Sequence, residues 1–310
     1  MLVTITMNPA LDVTTDTDTV RPTHKLRCHS VRHDAGGGGI NVAKVAHVLG
    51  AQVVAIFPAG GVAGETVCRL LDAAQVPIAP VQAAEATRES ISVNELCSRD
   101  QYRFVLPGPR ISEAEQIECL QRLREVAAGA EFVVASGSLP PSVPADFHQR
   151  ISDICGQLGT RLIVDSSGPG LAGLRTGAFL IKPSLSELRA VVGDDLATLG
   201  AQAAAARTLI AAGRAENVVV SMGGDGALLV TADAAWHYPP LRVAPGSGVG
   251  AGDAMVAGIA TALARGEALT DAVALGMACG AAMLLTPGSA ACTRTDVARL
   301  LAAAPAPRPV

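Results

Sequence analysis

Short β-branched runs alternate along this chain with longer segments whose apolar residues recur at helical spacing. Gln52–Phe57, Glu131–Ala135, Arg161–Asp165, Phe179–Ile181 and Asn217–Ser221 are nearly continuous apolar runs, and Met1–Met7 reads as a first strand. Strands of that kind belong in a sheet covered on both faces, and their alternation with helices predicts parallel βαβ units. Two regions, 13–34 and 88–107, break the pattern. There polar and β-forming residues alternate in Lys25–Val31, Ile91–Leu96 and Gln101–Leu106, with Ser98-Arg99-Asp100 suited to a hairpin turn. These segments predict a small sheet with one wet face beside the main layer. Alone it would have too little core and unpaired edges, so it is expected to cover a site as a lid, to pair with a partner, or both. The expected architecture is α/β, a mostly parallel sheet with a small β-sheet appendage in one domain over 1–310. Ala302–Val310, rich in alanine and proline, reads as a flexible tail.

At 310 residues the chain can bury a large core. Charged residues are 17 % and the net charge is −4, which leaves no electrostatic footprint for nucleic acid or an anionic membrane. An acidic ligand must therefore be held by local basic residues. The seven cysteines are scattered and odd in number, with no C-x-x-C pairing, which fits reduced thiols in the cytoplasm. The six histidines form no H-E-x-x-H pattern, so no protein-only transition-metal site is expected. The most hydrophobic segment, Ala272–Leu285, falls short of the ~20 residues a membrane span needs. The amino terminus lacks the charged leader of a signal peptide, so export is not expected.

The candidate chemistry lies in glycine. Gly248-Val249-Gly250-Ala251-Gly252-Asp253 opens into the apolar helix-like run Ala254–Ala260. A loop without side chains lets backbone N–H groups converge on an anion, and a helix start adds its unpaired N–H groups and the positive end of its dipole. Asp253 is then either a first-turn helix residue or a base beside an anion. A second cluster, Gly36-Gly37-Gly38-Gly39, leads through Asn41 into a helix ending near Leu49-Gly50. Four consecutive glycines cost conformational entropy, so something must require them, and their backbone can lie against a polyhydroxylated ligand where any Cβ would clash.

The chain resembles the ribokinase-like PfkB carbohydrate kinases over essentially its whole length. The resemblance rests on Asn8-Pro9-Ala10-Leu11-Asp12, Gly36–Asn41, Ser136–Pro141, Asp165–Gly168, Lys182-Pro183 and Gly250–Asp253 in that order. Within the family, Lys25–Cys28, Thr87-Arg88 and Gln101–Phe104 look most like the minor-isozyme type of 6-phosphofructokinase, with tagatose-6-phosphate kinase and 1-phosphofructokinase as close relatives. The resemblance implies a three-layer α/β/α sandwich with a β-sheet lid, and transfer of the γ-phosphoryl group of ATP, with Mg²⁺, to a ketohexose phosphate. Fructose 6-phosphate, converted to fructose 1,6-bisphosphate, is the expected acceptor.

Residue by residue, the resemblance implies Asp253 as base and the Gly250, Ala251 and Gly252 amides as the anion hole. It places Asp12 and Asn41 on sugar hydroxyls and packs Gly37 and Gly38 against the sugar. Arg88 and Arg103, with Lys25 and Ser138, would grip the acceptor's own phosphate, although an isolated arginine on a strand is otherwise a solvated surface residue. Lys182, Ser184, Glu187, Ser221, Gly223 and Gly226 would line the nucleotide, with Glu187 organising Mg²⁺ through water and Val249 and Met277 over the adenine. A K⁺ site would involve Ser247, Val249, Thr286 and Gly288. Pairing of two subunits through the lid is also implied. Ser184 stands where many members have asparagine and Gly248 where a threonine is common, changes that bear on Mg²⁺ or nucleotide affinity. Those departures keep open a non-catalytic sugar-phosphate or nucleotide sensor. A dinucleotide oxidoreductase fits poorly, because the turn after the first strand, Met7–Asp12, carries no G-x-G-x-x-G.

Overall fold

The computed structural model describes residues 1–193, 196–243, 248–286 and 290–310. The chain begins β1 (Leu2–Ile5), β2 (Ala10–Thr17), β3 (His29–Gly36), α1 (Gly38–Val48), β4 (Val53–Ala59), α2 (Gly61–Ala73), β5 (Ile78–Gln82), β6 (Arg88–Glu95) and β7 (Gln101–Val105). It continues α3 (Glu113–Val126), β8 (Phe132–Ser136), α4 (Phe147–Leu158), β9 (Arg161–Asp165), α5 (Gly168–Gly173), β10 (Ala178–Ile181), α6 (Leu185–Val192) and α7 (Leu199–Ala211). It ends β11 (Ala215–Ser221), β12 (Ala227–Val230), β13 (Ala235–Tyr238), α8 (Ala251–Ala264), α9 (Leu269–Met283), α10 (Arg294–Ala302) and β14 (Arg308–Pro309).

The apolar runs become a ten-stranded sheet of order β14-β13-β12-β11-β10-β9-β8-β1-β4-β5. From β5 to β11 every pairing is parallel, and β12 to β14 extend it antiparallel. Every residue of β1 and β8 is buried, as continuous apolar strands require when both faces are covered. One face packs against α1, α2, α8, α9 and α10, and the other against α3, α4, α6 and α7. The result is three layers. No helix among the described residues is long and apolar enough to cross a membrane.

The second sheet has four strands in the order β3-β2-β6-β7. It starts earlier than the sequence indicated, because Ala10–Asp12 already pair with Arg88–Ser90. The segment Lys25–Cys28, expected as strand, is not one. The β2–β3 ladder shifts register between Thr14 and Asp16, and its pairing ends at His29, so the residues before it have no partner strand. Cross-strand partners point to the same face. Asp34, Asp12 and Ser90 form one row of the polar face, and Arg32, Thr14, Ser92 and Arg103 form the next. The opposite face carries Val13, Ile91, Val93, Tyr102 and Phe104.

The carboxyl end departs from the expected flexible tail. Arg308–Pro309 add to the outer side of β13, and the Val310 N–H donates to the Ala235 carbonyl at 3.0 Å. An edge strand offers unpaired backbone groups, and proline is tolerated at such an edge.

Candidate active site

Polar residues gather where the parallel strands end. Asn8 follows β1, Ser136 closes β8, Asp165 closes β9, Lys182 follows β10 and Ser221 closes β11, and these five strands are consecutive neighbours. Ligands of open α/β sheets bind outside such carboxyl ends. Helix α8 begins over this row. Its N-cap, Gly250, has φ 75°, a turn that only glycine makes without a Cβ penalty. The first intrahelical bond runs from Ala254 N to Gly250 O at 2.8 Å, so the Gly252 and Asp253 N–H groups have no helical acceptor. The Ala251 N–H turns back to the Gly248 carbonyl at 3.3 Å, a long bond an anion would compete with.

Asp253 makes no cap bond to its own helix. Its Oδ2 accepts from Asn41 Nδ2 at 2.9 Å and its Oδ1 from Ser136 Oγ at 3.4 Å. Burial, reinforced by the Asp165 charge, pushes its carboxyl up to about 7, against the pull of Asn41, Lys182 and Ser136. Asp253 does lie in the first turn of α8, but its oxygens are engaged by Asn41 and Ser136, and a carboxyl titrating near neutrality is matched to proton transfer.

Lys182 Nζ lies 3.1 Å from Asp165 Oδ1, the two side chains being 5 % and 12 % exposed. Burial raises the Asp165 carboxyl against the pull of Lys182; burial works to lower Lys182, but the carboxylates around it outweigh that and raise it. A Cβ added to Gly252 would stand 3.5 Å from Lys182 Nζ, so the ammonium faces the glycine turn.

The glycine cluster, expected to lie bare against a ligand, is required at Gly36 and Gly38 by protein contacts. A Cβ on Gly38 would lie 2.4 Å from Ser136 Oγ and 2.6 Å from Gly137 N, and one on Gly36 would lie 2.2 Å from Asp12 Oδ2. The start of α1 is thus pressed against the end of β8, which is what brings Asn41 to Asp253.

Beside α8 a cavity of ≈ 810 Å³ is lined by Ser221, Gly223, Gly226, Gly248, Met277 and Ala281 among others, a volume that suits a nucleotide. Val249 is not itself a lining residue. Glu187 and Ser184 form a capping box at the start of α6: Ser184 N donates to Glu187 Oε2 at 2.7 Å and Glu187 N to Ser184 Oγ at 3.2 Å. Serine and asparagine are both good N-caps, so the departure at Ser184 preserves the local fold.

Residues 3–296 match the family described as pfkB family carbohydrate kinase. The chain belongs to the pfkB family. An ATP-dependent 6-phosphofructokinase isozyme 2 of Mycobacterium tuberculosis is 55 % identical over 309 residues, covering 100 % of this chain and 91 % of the relative. The Escherichia coli protein of the same name is 39 % identical over 301 residues, covering 96 % and 97 %. Relatives named 1-phosphofructokinase, from Xanthomonas campestris, and D-tagatose-1-phosphate kinase, from Klebsiella oxytoca, are 36 % and 28 % identical. Phosphofructokinase-2 from E. coli in complex with fructose-6-phosphate superposes with a TM-score of 0.91 at 38 % identity, covering 97 % of this chain and 98 % of that one. That protein has also been solved with potassium and in a tetrameric inhibited form. Arabidopsis thaliana ribokinase, at a TM-score of 0.76 and 17 % identity, shares the fold. The fold is ribokinase-like.

In this pfkB chain the residues expected to meet the sugar phosphate divide into two groups. Arg88 is held in place, its Nη2 donating to the Asn8 carbonyl at 3.3 Å and its Nη1 to the Leu106 carbonyl at 3.2 Å. Burial lowers its pKa against the pull of Asp12, and its Nε is buried without a partner, a donor left for a ligand. Ser138 Oγ accepts from Asn8 Nδ2 at 3.1 Å. Arg103 is exposed and pairs with Ser92, four residues, about 13 Å, along β6 from Arg88. The two arginines share a face without converging. Lys25 is exposed and, among the described residues, makes no ion pair or hydrogen bond. Of the cation-site residues, Ser247 and Gly288 lie outside the described residues, and Thr286 Oγ1 donates to the Ala282 carbonyl at 3.3 Å.

The pfkB site also contains Ser136, Asp165, Asn8 and Lys44, none of them assigned a role from sequence. The first three are polar residues at or just past the end of an apolar strand, a signal present in the chain. Lys44 sits one helical turn beyond Asn41, and only the fold shows what it faces.

Proposed function

We propose that this chain transfers the γ-phosphoryl group of ATP to a hydroxyl of a ketohexose phosphate, with fructose 6-phosphate as acceptor and fructose 1,6-bisphosphate as product. The observation that carries the reading is Asp253, a carboxyl titrating near 7 in the first turn of α8 beside amides that have no helical acceptor. In-line phosphoryl transfer needs positioning and stabilisation of the equatorial oxygens more than covalent help. The Gly250–Gly252 turn and the Lys182 ammonium supply that stabilisation, and Asp253 removes the proton of the attacking hydroxyl. The 55 % identity to a 6-phosphofructokinase isozyme 2 supports the choice of acceptor.

The acceptor's own phosphate lies against Arg88, with Asn8 and Ser138 beside it, while Asp12 accepts from sugar hydroxyls across the cleft. The nucleotide fills the cavity beside α8. Glu187 on α6 and Asp165 at the end of β9, hard oxygen donors, would suit a hydrated Mg²⁺ carried by the nucleotide. Such an ion would neutralise charge on the phosphates. The small sheet closes over the acceptor and keeps water from the transferring group. Two copies pair through the sheet's outer face, where Val31 and Phe104 are 58 % and 56 % exposed. Arg103 and Lys25, remote from Arg88 within one chain, then complete the phosphate site.

The test is ADP release from Mg·ATP with fructose 6-phosphate, fructose 1-phosphate, tagatose 6-phosphate and unphosphorylated fructose in parallel, with and without K⁺. Preference for fructose 6-phosphate is expected. Activity on free fructose alone would remove the phosphate clamp, and no turnover on any of the four would favour a sensor.

A further inference from the structure

We infer that Lys44 is a positioning residue for the phosphoryl-transfer base, orienting the Asn41 amide so that its NH₂ group faces Asp253. The inference rests on Asp253 being that base. Lys44 Nζ donates to Asn41 Oδ1 at 3.3 Å, and Asn41 Nδ2 donates to Asp253 Oδ2 at 2.9 Å. An amide can present either end to a neighbour. An ammonium is different, because it has three donors and no acceptor. Only the amide oxygen can therefore face Lys44, which leaves the NH₂ for the carboxylate. Among the described residues no other group donates to the Asn41 amide oxygen, and without Lys44 a rotated amide would turn that oxygen toward the base and oppose its ionisation.

Lys44 is itself anchored. Its Nζ donates to the Ala35 carbonyl at 2.7 Å, at the buried end of β3. Burial lowers its pKa while Asp34, Asp12 and Asp253 hold it up and Arg32 opposes them. The anchor joins the base to a strand of the small sheet. The groups that set the charge of Asp253 are Asp165 at the end of β9, Lys182 after β10, Ser136 at the end of β8 and Asn41 on α1, and Lys44 lies within electrostatic reach of it. Beside that direct attraction, Lys44 acts through an intermediary, the Asn41 amide, whose orientation it selects.

The experiment compares Lys44→Met, Lys44→Arg and Asn41→Ala. The Asp253 carboxyl is titrated by ¹³C NMR in the ligand-free protein, assigned by its loss in Asp253→Asn, and kcat is followed against pH. In Lys44→Met the Asp253 midpoint is expected to rise by at least about half a pH unit. Turnover at pH 7 should fall about tenfold or more. The KM for ATP should stay within about twofold, because Lys44 lies on the acceptor side of the base. Lys44→Arg, which keeps the charge and the donors, should restore most of the midpoint. In an Asn41→Ala background Lys44→Met should cost little more, since its route to the base is already gone. An unmoved Asp253 midpoint in folded Lys44→Met, or an equal cost in both backgrounds, overturns the inference and leaves Lys44 as a tie between α1 and β3. The NMR titration needs no turnover, so it stays readable if Asp253→Asn proves active and the base assignment itself fails.

Discussion

Lys182 and Asp165 form a nearly buried ion pair, 3.1 Å apart, whose ammonium also faces the glycine turn before Asp253. A buried pair is costly to split, since removing one partner strands the other charge. Lys182→Met is expected to destabilise the fold by about 3–5 kcal/mol in urea denaturation. Asp165→Asn combined with Lys182→Met should recover part of that loss. If the double variant is no more stable than Lys182→Met, the pair does not carry the cost.

As the proposed base, Asp253 should set the pH dependence. A base must be ionised, so kcat/KM should climb as pH rises through about 7, the value at which its carboxyl titrates. Asp253→Asn should lower kcat by about 10²–10⁴-fold with ATP binding retained. A variant that keeps near-normal turnover removes the base assignment. Stability follows with the opposite sign. The carboxyl is raised from 3.8 to about 7, so the folded chain holds a proton that the unfolded chain has released. Its contribution is full below the unfolded value and lost as pH rises through about 7. Asp253→Asn should therefore have a higher Tm than the parent at pH 8, with the difference shrinking toward pH 5.

Arg88 and Arg103 should behave differently. Arg88 is wedged against the Asn8 and Leu106 carbonyls with an unpartnered Nε, and Arg103 is exposed. Arg88→Ala is expected to raise the KM for fructose 6-phosphate at least about tenfold, the scale of one lost charge-assisted contact. Its effect on free fructose should be much smaller. Arg103→Ala should matter only where two copies pair, so its cost should vanish in a monomeric variant. Equal effects of the two substitutions at every protein concentration would contradict this division.

Gly38 fixes α1 against β8. A methyl group there would stand 2.4 Å from Ser136 Oγ and 2.6 Å from Gly137 N, so the helix start must move. Gly38→Ala should cost about 1–3 kcal/mol of stability and lower kcat more than the KM for ATP, because it displaces Asn41 and Ser136 from Asp253. Kinetics and thermal denaturation on one preparation check both effects.

The exposed outer face of the small sheet gives a test of assembly. Phe104 pairs with Ile91 and is 56 % exposed. Phe104→Asp is expected to give monomers by light scattering after size exclusion, with the fold intact by circular dichroism. An unchanged mass would move the interface elsewhere.

Much of this was legible in the chain. Continuous apolar runs located the parallel strands, because residues buried on both faces leave no polar alternation. Gly250–Asp253 pointed to an anion beside a base, because a glycine turn followed by a helix start is local chemistry. The small sheet was visible in its alternation, but its bounds were not. Whether Ala10 or Lys25 is strand depends on a partner far away in sequence, and the bulge near Thr14 decided where that pairing stops. The carboxyl end was misread for the same reason, since an alanine- and proline-rich segment has no internal drive to order and gains it only from the open edge of β13.

The sequence by itself determined the strand runs, their alternation with helices and the glycine turn that puts a carboxylate at a helix start, all set by local pattern and by groups adjacent in the chain. The tertiary structure alone decided that Gly36 and Gly38 are pressed against protein, that Asp165 and Lys182 form one pair, and that Lys44 reaches Asp253 through Asn41. Those relationships join segments far apart in the chain. Their energies depend on distance and burial, quantities that exist only once the segments have packed.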